Sequence, residues 1–145
     1  MNQVKFKFGE PQHGWVDFKI SDSVHEIILD VSDVPNNCLE SLALALNRLQ
    51  EGSIEQEVEF SLEPVFAILR FNVNRKTLNL EVFPDESRVN SIKFSGPKNK
   101  VLHQLYKGLK DLGSLDCWQA KNALENIWSW EFPYKELNEY KEKNV

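Results

Sequence analysis

Between Val31 and Leu39 the spacing of apolar residues changes from every second position to every third or fourth, and after Gly52 it changes back. Strand residues point alternately to opposite faces, whereas positions three and four apart share one side of a helix. A chain that makes this switch and reverses it cannot be all helix or all sheet. A second change to helical spacing follows Gly96 and Pro97. The order strands, helix, strands, helices predicts an α+β fold, with a largely antiparallel sheet of about seven strands, one central helix and a C-terminal helical region packed on the sheet.

The elements follow from the same periodicities. Val4, Phe6 and Phe8 alternate with Lys5 and Lys7, and Val16, Phe18 and Ile20 alternate with Asp17 and Lys19. Residues 25–31 make a third strand, with Ile27, Leu29 and Val31 on one face. Leu39, Leu42, Ala43, Leu46 and Leu49 then mark a helix that Asn36 or Asn37 caps, with Gly52 just past its end. Strands are predicted at 57–62, 65–73, 77–83 and 89–94, with turns at 72–75 and 84–87. Gly96-Pro97 opens a helix whose face carries Leu102, Leu105, Leu109 and Leu112 and which ends at Gly113. Ser114 or Asp116 starts another, through Leu124, Ile127 and Trp128, and 134–143 forms a short charged terminal helix. Three strands and a helix followed by four strands and helices suggest two similar halves, without self-similarity at the residue level.

With 145 residues the chain reads as a single domain, 1–145, long enough to bury a core. A hydrophobic fraction of 41% argues against intrinsic disorder. Seventeen Lys and Arg against 22 Asp and Glu leave a net charge of −5, which disfavours a whole-surface nucleic-acid or anionic-lipid footprint. Cys38 and Cys117 form no CxxC pair and are expected as free thiols in a reducing compartment. The N-terminus lacks the apolar run of a signal peptide, and no stretch approaches the ~20 apolar residues of a membrane span, so a cytoplasmic protein is expected.

Catalytic patterns are missing. There is no GxGxxG, Walker or GxSxG motif, and Gly96-Pro97-Lys98-Asn99-Lys100 lacks phosphate-loop spacing. His13, His25 and His103 are scattered, none at metal-ligand spacing with another His or a Cys. No catalytic residue, cofactor or metal is therefore expected, and the chain does not read as an enzyme. Lys98, Lys100, Lys107 and Lys110 make the first C-terminal helix basic, in the pattern of a solvated face.

Binding residues stand out more. In 55–63, Val58, Phe60 and Leu62 alternate with Glu57, Glu59, Ser61 and Glu63, giving a strand with one apolar and one negative face. Like charges along a strand repel, so a role beyond stability is indicated. Glu81, on the 77–83 strand, extends the acidic row. Trp128 and Trp130, two positions apart, cannot both face inward on one helix. One is therefore an exposed aromatic of the kind that anchors interfaces, and Trp130 is the candidate.

Gly14-Trp15 at an early strand, Val31-Ser32-Asp33-Val34-Pro35-Asn36-Asn37 before a Leu-rich helix, Glu63-Pro64 before a strand and 128–133 near the end together resemble a family of small bacterial immunity proteins. These belong to contact-dependent inhibition and related polymorphic toxin systems. The resemblance implies a partner, a cognate toxin, commonly a nuclease with a basic cleft. An acidic surface built on Glu57, Glu59, Glu63 and Glu81 would occlude that cleft, with Trp130 beside it. The order of strands and helices is also similar to the Whirly-type fold, which implies a single-stranded nucleic-acid-binding module as the alternative. The chain carries no clear basic motif for that role.

Overall fold

A computed structural model of the protein describes residues 3–118 and 127–141. The chain is α+β, with seven strands among the described residues, but the strands form two antiparallel sheets rather than one. Sheet A comprises β1 (Lys5–Phe8), β2 (Trp15–Ser21) and β3 (Glu26–Ser32), in that order. Sheet B comprises β4 (Glu55–Ser61), β5 (Phe66–Asn74), β6 (Thr77–Phe83) and β7 (Ile92–Pro97), also in chain order. Among the described residues the helices are α1 (Cys38–Gln50), α2 (Lys98–Gly113) and α3 (Tyr134–Asn138), with a 3-10 turn at Asp116–Trp118. The ladder stops between β3 and β4 because other groups hold that edge. Asn36 Nδ2 donates to Glu59 O of β4 at 3.0 Å, and the Ser32 hydroxyl donates to the Glu63 carboxylate.

Alternation set the faces. Phe18 and Ile20 of β2, Val58 and Phe60 of β4, and Leu78, Leu80 and Val82 of β6 all point into one core. The two sheets meet at Phe18 and Phe60, whose ring centroids are 5.5 Å apart. The apolar stripe of α1 is fully buried from Leu39 to Leu49, and the Asn37 side chain caps it by accepting from the Glu40 N–H. Of the two caps the sequence offered, Asn36 and Asn37, it is the second that serves. Helix α2 packs on β1 with its face of Val101, Leu102, Leu105, Leu109 and Leu112 buried.

Four predicted boundaries move. The β5–β6 turn lies at Asn74–Thr77, two residues later than expected, with Arg75 at φ 58°. The last strand is Ile92–Pro97, not 89–94, so Gly96 and Pro97 close a strand instead of opening a helix. Pro97 can do so because β7 is the last strand of the sheet, where a missing N–H costs no ladder bond. The terminal helix covers only Tyr134–Asn138 of the expected 134–143. The predicted helix from Ser114 or Asp116 begins in the 3-10 turn, and its continuation through Leu124 lies outside the described residues.

The C-terminal segment is fastened by Asp33, which is 7% exposed. One carboxylate oxygen of Asp33 accepts from both the backbone N–H and the hydroxyl of Ser129, each at 2.7 Å. Its carbonyl accepts from Trp130 Nε1 at 2.6 Å, and its N–H donates to Gly14 O at 2.9 Å. Gly14 N–H in turn donates to Ile127 O. Gly14 has φ +82°, and a Cβ there would sit 2.9 Å from Asp33 Oδ1. Farther on, Asn47 Nδ2 donates to Glu136 O, and Gln50 exchanges two hydrogen bonds with the Lys141 backbone.

Two substitutions test this packing. Asp33→Ala removes a nearly buried, charged acceptor of two hydrogen bonds from the exposed Ser129, and should lower unfolding free energy by about 2 kcal/mol in chemical denaturation. Gly108→Ala would place a Cβ 2.7 Å from the carbonyl oxygen of Phe6, where backbone cannot yield locally. Helix α2 would have to lift from β1, and a loss of roughly 1–3 kcal/mol is expected by the same measurement.

Candidate functional site

The predicted acidic row lies on the outer face of sheet B, and the strand register gives it a different charge. Glu57 of β4 stands opposite Arg70 of β5, Arg70 opposite Glu81 of β6, and Glu81 opposite Lys93 of β7. Signs alternate across all four strands, which is the favourable arrangement for facing charges. Arg70 also pairs with Glu55, its Nη2 lying 3.2 Å from Oε1. The neighbouring row, Glu55, Asn72, Asn79 and Ser95, is polar throughout.

A strap, residues 84–91, runs from β6 to β7 over the other end of this face. Arg88 grips Glu57 through two parallel hydrogen bonds of 2.9 and 2.8 Å, and its guanidinium lies 5.3 Å from the Phe83 ring centroid. Glu86 accepts from the Phe66 N–H, and the Ser91 hydroxyl donates to Glu81 at 2.7 Å. Under the strap Ile68 and Phe83 are buried although their strand positions face outward.

The four glutamates read from the sequence therefore have separate fates. Glu57 is held by Arg88, and Glu81 by Ser91 between two cations. Glu63 is not on the row at all: β4 ends at Ser61, Glu63 takes φ +41°, and its carboxylate turns to Ser32. Glu59 alone of the four is exposed with no side-chain hydrogen bond or ion pair among the described residues. Trp130 lies apart from them, 36% exposed, tied to Asp33 through its indole N–H, while Trp128 is fully buried. One faces out and one in, although neither lies on the helix that the spacing argument assumed.

A cleft of about 680 Å³ opens on the same face, toward the turn between β2 and β3. Its sheet residues include Arg70, Asn72, Asn79, Glu81, Lys93 and Ser95, and the turn contributes Asp22, Val24 and His25. The turn is stiffened by Asp22, whose carboxylate accepts from the Val24 and His25 N–H groups at 2.8 and 2.7 Å. The His25 ring meets Phe94 edge-on, with centroids 6.3 Å apart. Arg70, Lys93 and the amide pair were not singled out in the sequence. Their signal was available only through register, since none belongs to a motif.

Among the described residues no group of three or more His, Cys, Asp or Glu is placed to hold a metal ion, and no helix is long and apolar enough to cross a membrane. Both cysteines are free. Burial pushes the Cys38 thiol up to about 12, and burial raises Cys117 as well, so neither has the depressed pKa of a nucleophilic thiolate.

The hydrogen bonds from Arg88 hold the Glu57 carboxyl below the usual glutamate range. A lowered folded-state pKa contributes stability above the ordinary value and loses it as pH falls through the lowered one. Glu57→Gln should therefore cost roughly 0.5 kcal/mol at neutral pH, the scale of an exposed pair, and about nothing once pH has fallen below the lowered folded-state value and both states are protonated. Thermal melts of both proteins across that range measure the difference.

No protein-family model, no curated protein and no solved structure matches the chain.

Proposed function

We propose that the protein is a non-catalytic binder of one cognate toxin, an immunity protein, and that the toxin docks on the outer face of sheet B. The observation that carries the docking site is the cleft of about 680 Å³ between the β2–β3 turn and two polar rows on rigid strands. A preformed hollow lined by amides, both signs of charge and one histidine suits a protruding polar segment of another protein. The toxin identity rests on the resemblance drawn from the sequence. Because Glu57 and Glu81 are engaged within the sheet, recognition relies on charge pattern and shape, with Glu59, which feels Arg88 only through space, as the most available acidic contact.

Co-expression with the product of the adjacent gene supplies the test of function: that product is toxic alone, and the protein restores growth and co-purifies with it. No toxicity, or no rescue and no complex, rejects the immunity reading. The surface is tested separately with Asn79→Arg, which fills the cleft, and Glu59→Lys. Each should weaken the complex at least about tenfold, the cost of one lost good contact. Unchanged affinity in both excludes this face. Salt-dependent binding of a single-stranded oligonucleotide without toxin binding would instead favour the Whirly-like alternative.

A further inference from the structure

Sheet A carries its charges in the opposite way to sheet B. On its outer face Lys7 stands directly opposite Lys19, and in the next row Asp17 stands directly opposite Asp30. Facing like charges destabilise a strand pair. The Asp30 carboxyl is raised by its hydrogen bond with Asp17, as expected for two carboxyls in one place. Glu10 and Trp15 line the same hollow as the two aspartates, and Ile28 completes the lysine row at 58% exposure. Among the described residues Lys19 has one ion pair, with Glu26 at 3.1 Å, and Lys7 has none.

The geometry points to this face as a two-fold contact between two copies of the chain. The basic row Lys7–Lys19–Ile28 and the acidic row Asp17–Asp30 are adjacent and parallel. Consider a two-fold axis in the plane of contact, parallel to the rows and midway between them. It lays Lys19 of one copy over Asp17 of the other, and Ile28 over Asp30, in both directions at once. An axis along the strands would instead superpose lysine on lysine and aspartate on aspartate. The Lys19–Asp17 pairing, made twice, thus favours this arrangement over the other, as an isologous interface requires. Ile28 and Trp15 are otherwise unexplained exposed side chains on the same sheet. Two strands of seven residues and one of four offer on the order of 300 Å² per copy, against about 800 Å² in a stable dimer. Association is accordingly weak and salt-sensitive. The contact leaves the outer face of sheet B free and does not depend on the immunity reading.

Sedimentation of the full chain at low salt, from about 10 μM to 1 mM, reads the association over the range of weak dimers. The expected mass rises toward the dimer with concentration and returns to the monomer at high salt. Two charge-reversed proteins decide the mechanism: Lys7→Glu with Lys19→Glu, and Asp17→Lys with Asp30→Lys. Each alone should lose association at least about tenfold, and an equimolar mixture should regain it as a heterodimer. If either fails to give a dispersed amide spectrum, Asp17→Asn with Asp30→Asn serves as the isosteric substitute, again with weakened association expected. A wild-type monomer at 1 mM, variants that associate like wild type, or a folded pair that does not associate on mixing would each overturn the proposal. Toxin rescue is scored independently, so failure of one reading leaves the other standing.

Discussion

The carboxylate of Asp33 occupies the point where three stretches of chain with little else in common must agree. It sits just past β3, its backbone is paired with Gly14 ahead of β2, and its side chain holds Ser129. The start of sheet A, the approach to α1 and the C-terminal segment are thereby referred to one residue. Charge-assisted hydrogen bonds in a nearly dry place are strong and directional. The absence of a Cβ at Gly14 is a condition of the same contact, since a methyl group would crowd the carboxylate oxygen at 2.9 Å. Trp130 is aimed outward because its N–H is spent on the Asp33 carbonyl. An exposed indole fixed in this way presents a rigid surface, whatever binds there.

Much of the architecture was legible because burial and periodicity are local. The strand faces of β1 to β6 and the stripes of both long helices follow from which residues are apolar, and the Asn37 cap from one side chain. Register is not local. With the β5–β6 turn placed at 72–75, Arg70 would face Thr77 and the glutamates would look like an uncompensated strip. Moving the turn two residues sets Arg70 against Glu81 and changes the electrostatic meaning of the whole face. Arg88 was hidden for a related reason, because a residue in a connecting strap has no periodicity to announce its partner. The separation into two sheets was equally invisible, since it hinges on an Asn side chain taking a carbonyl that a strand would otherwise pair.

The two outer faces therefore illustrate two uses of the same side chains. On sheet B opposite charges meet across each strand pair and satisfy one another. On sheet A like charges meet, and the energy is left unbalanced within the chain. The first condition makes a quiet polar floor for a cleft, while the second concentrates field at the surface. Composition does not reveal the difference, because it depends on which charges the register sets opposite one another.

The alternating row on sheet B also bears on how the sheet is assembled. Sliding β5 by two residues against β6 keeps every apolar side chain on the core side, so burial alone cannot reject the slip. The charges can. Displacement in one direction sets Arg70 against Asn79, and in the other against Phe83, and in both it parts Arg70 from Glu81. Glu57, Arg70, Glu81 and Lys93 thus act as a proofreading code, written on the solvent side, for a pairing error that the hydrophobic core would accept.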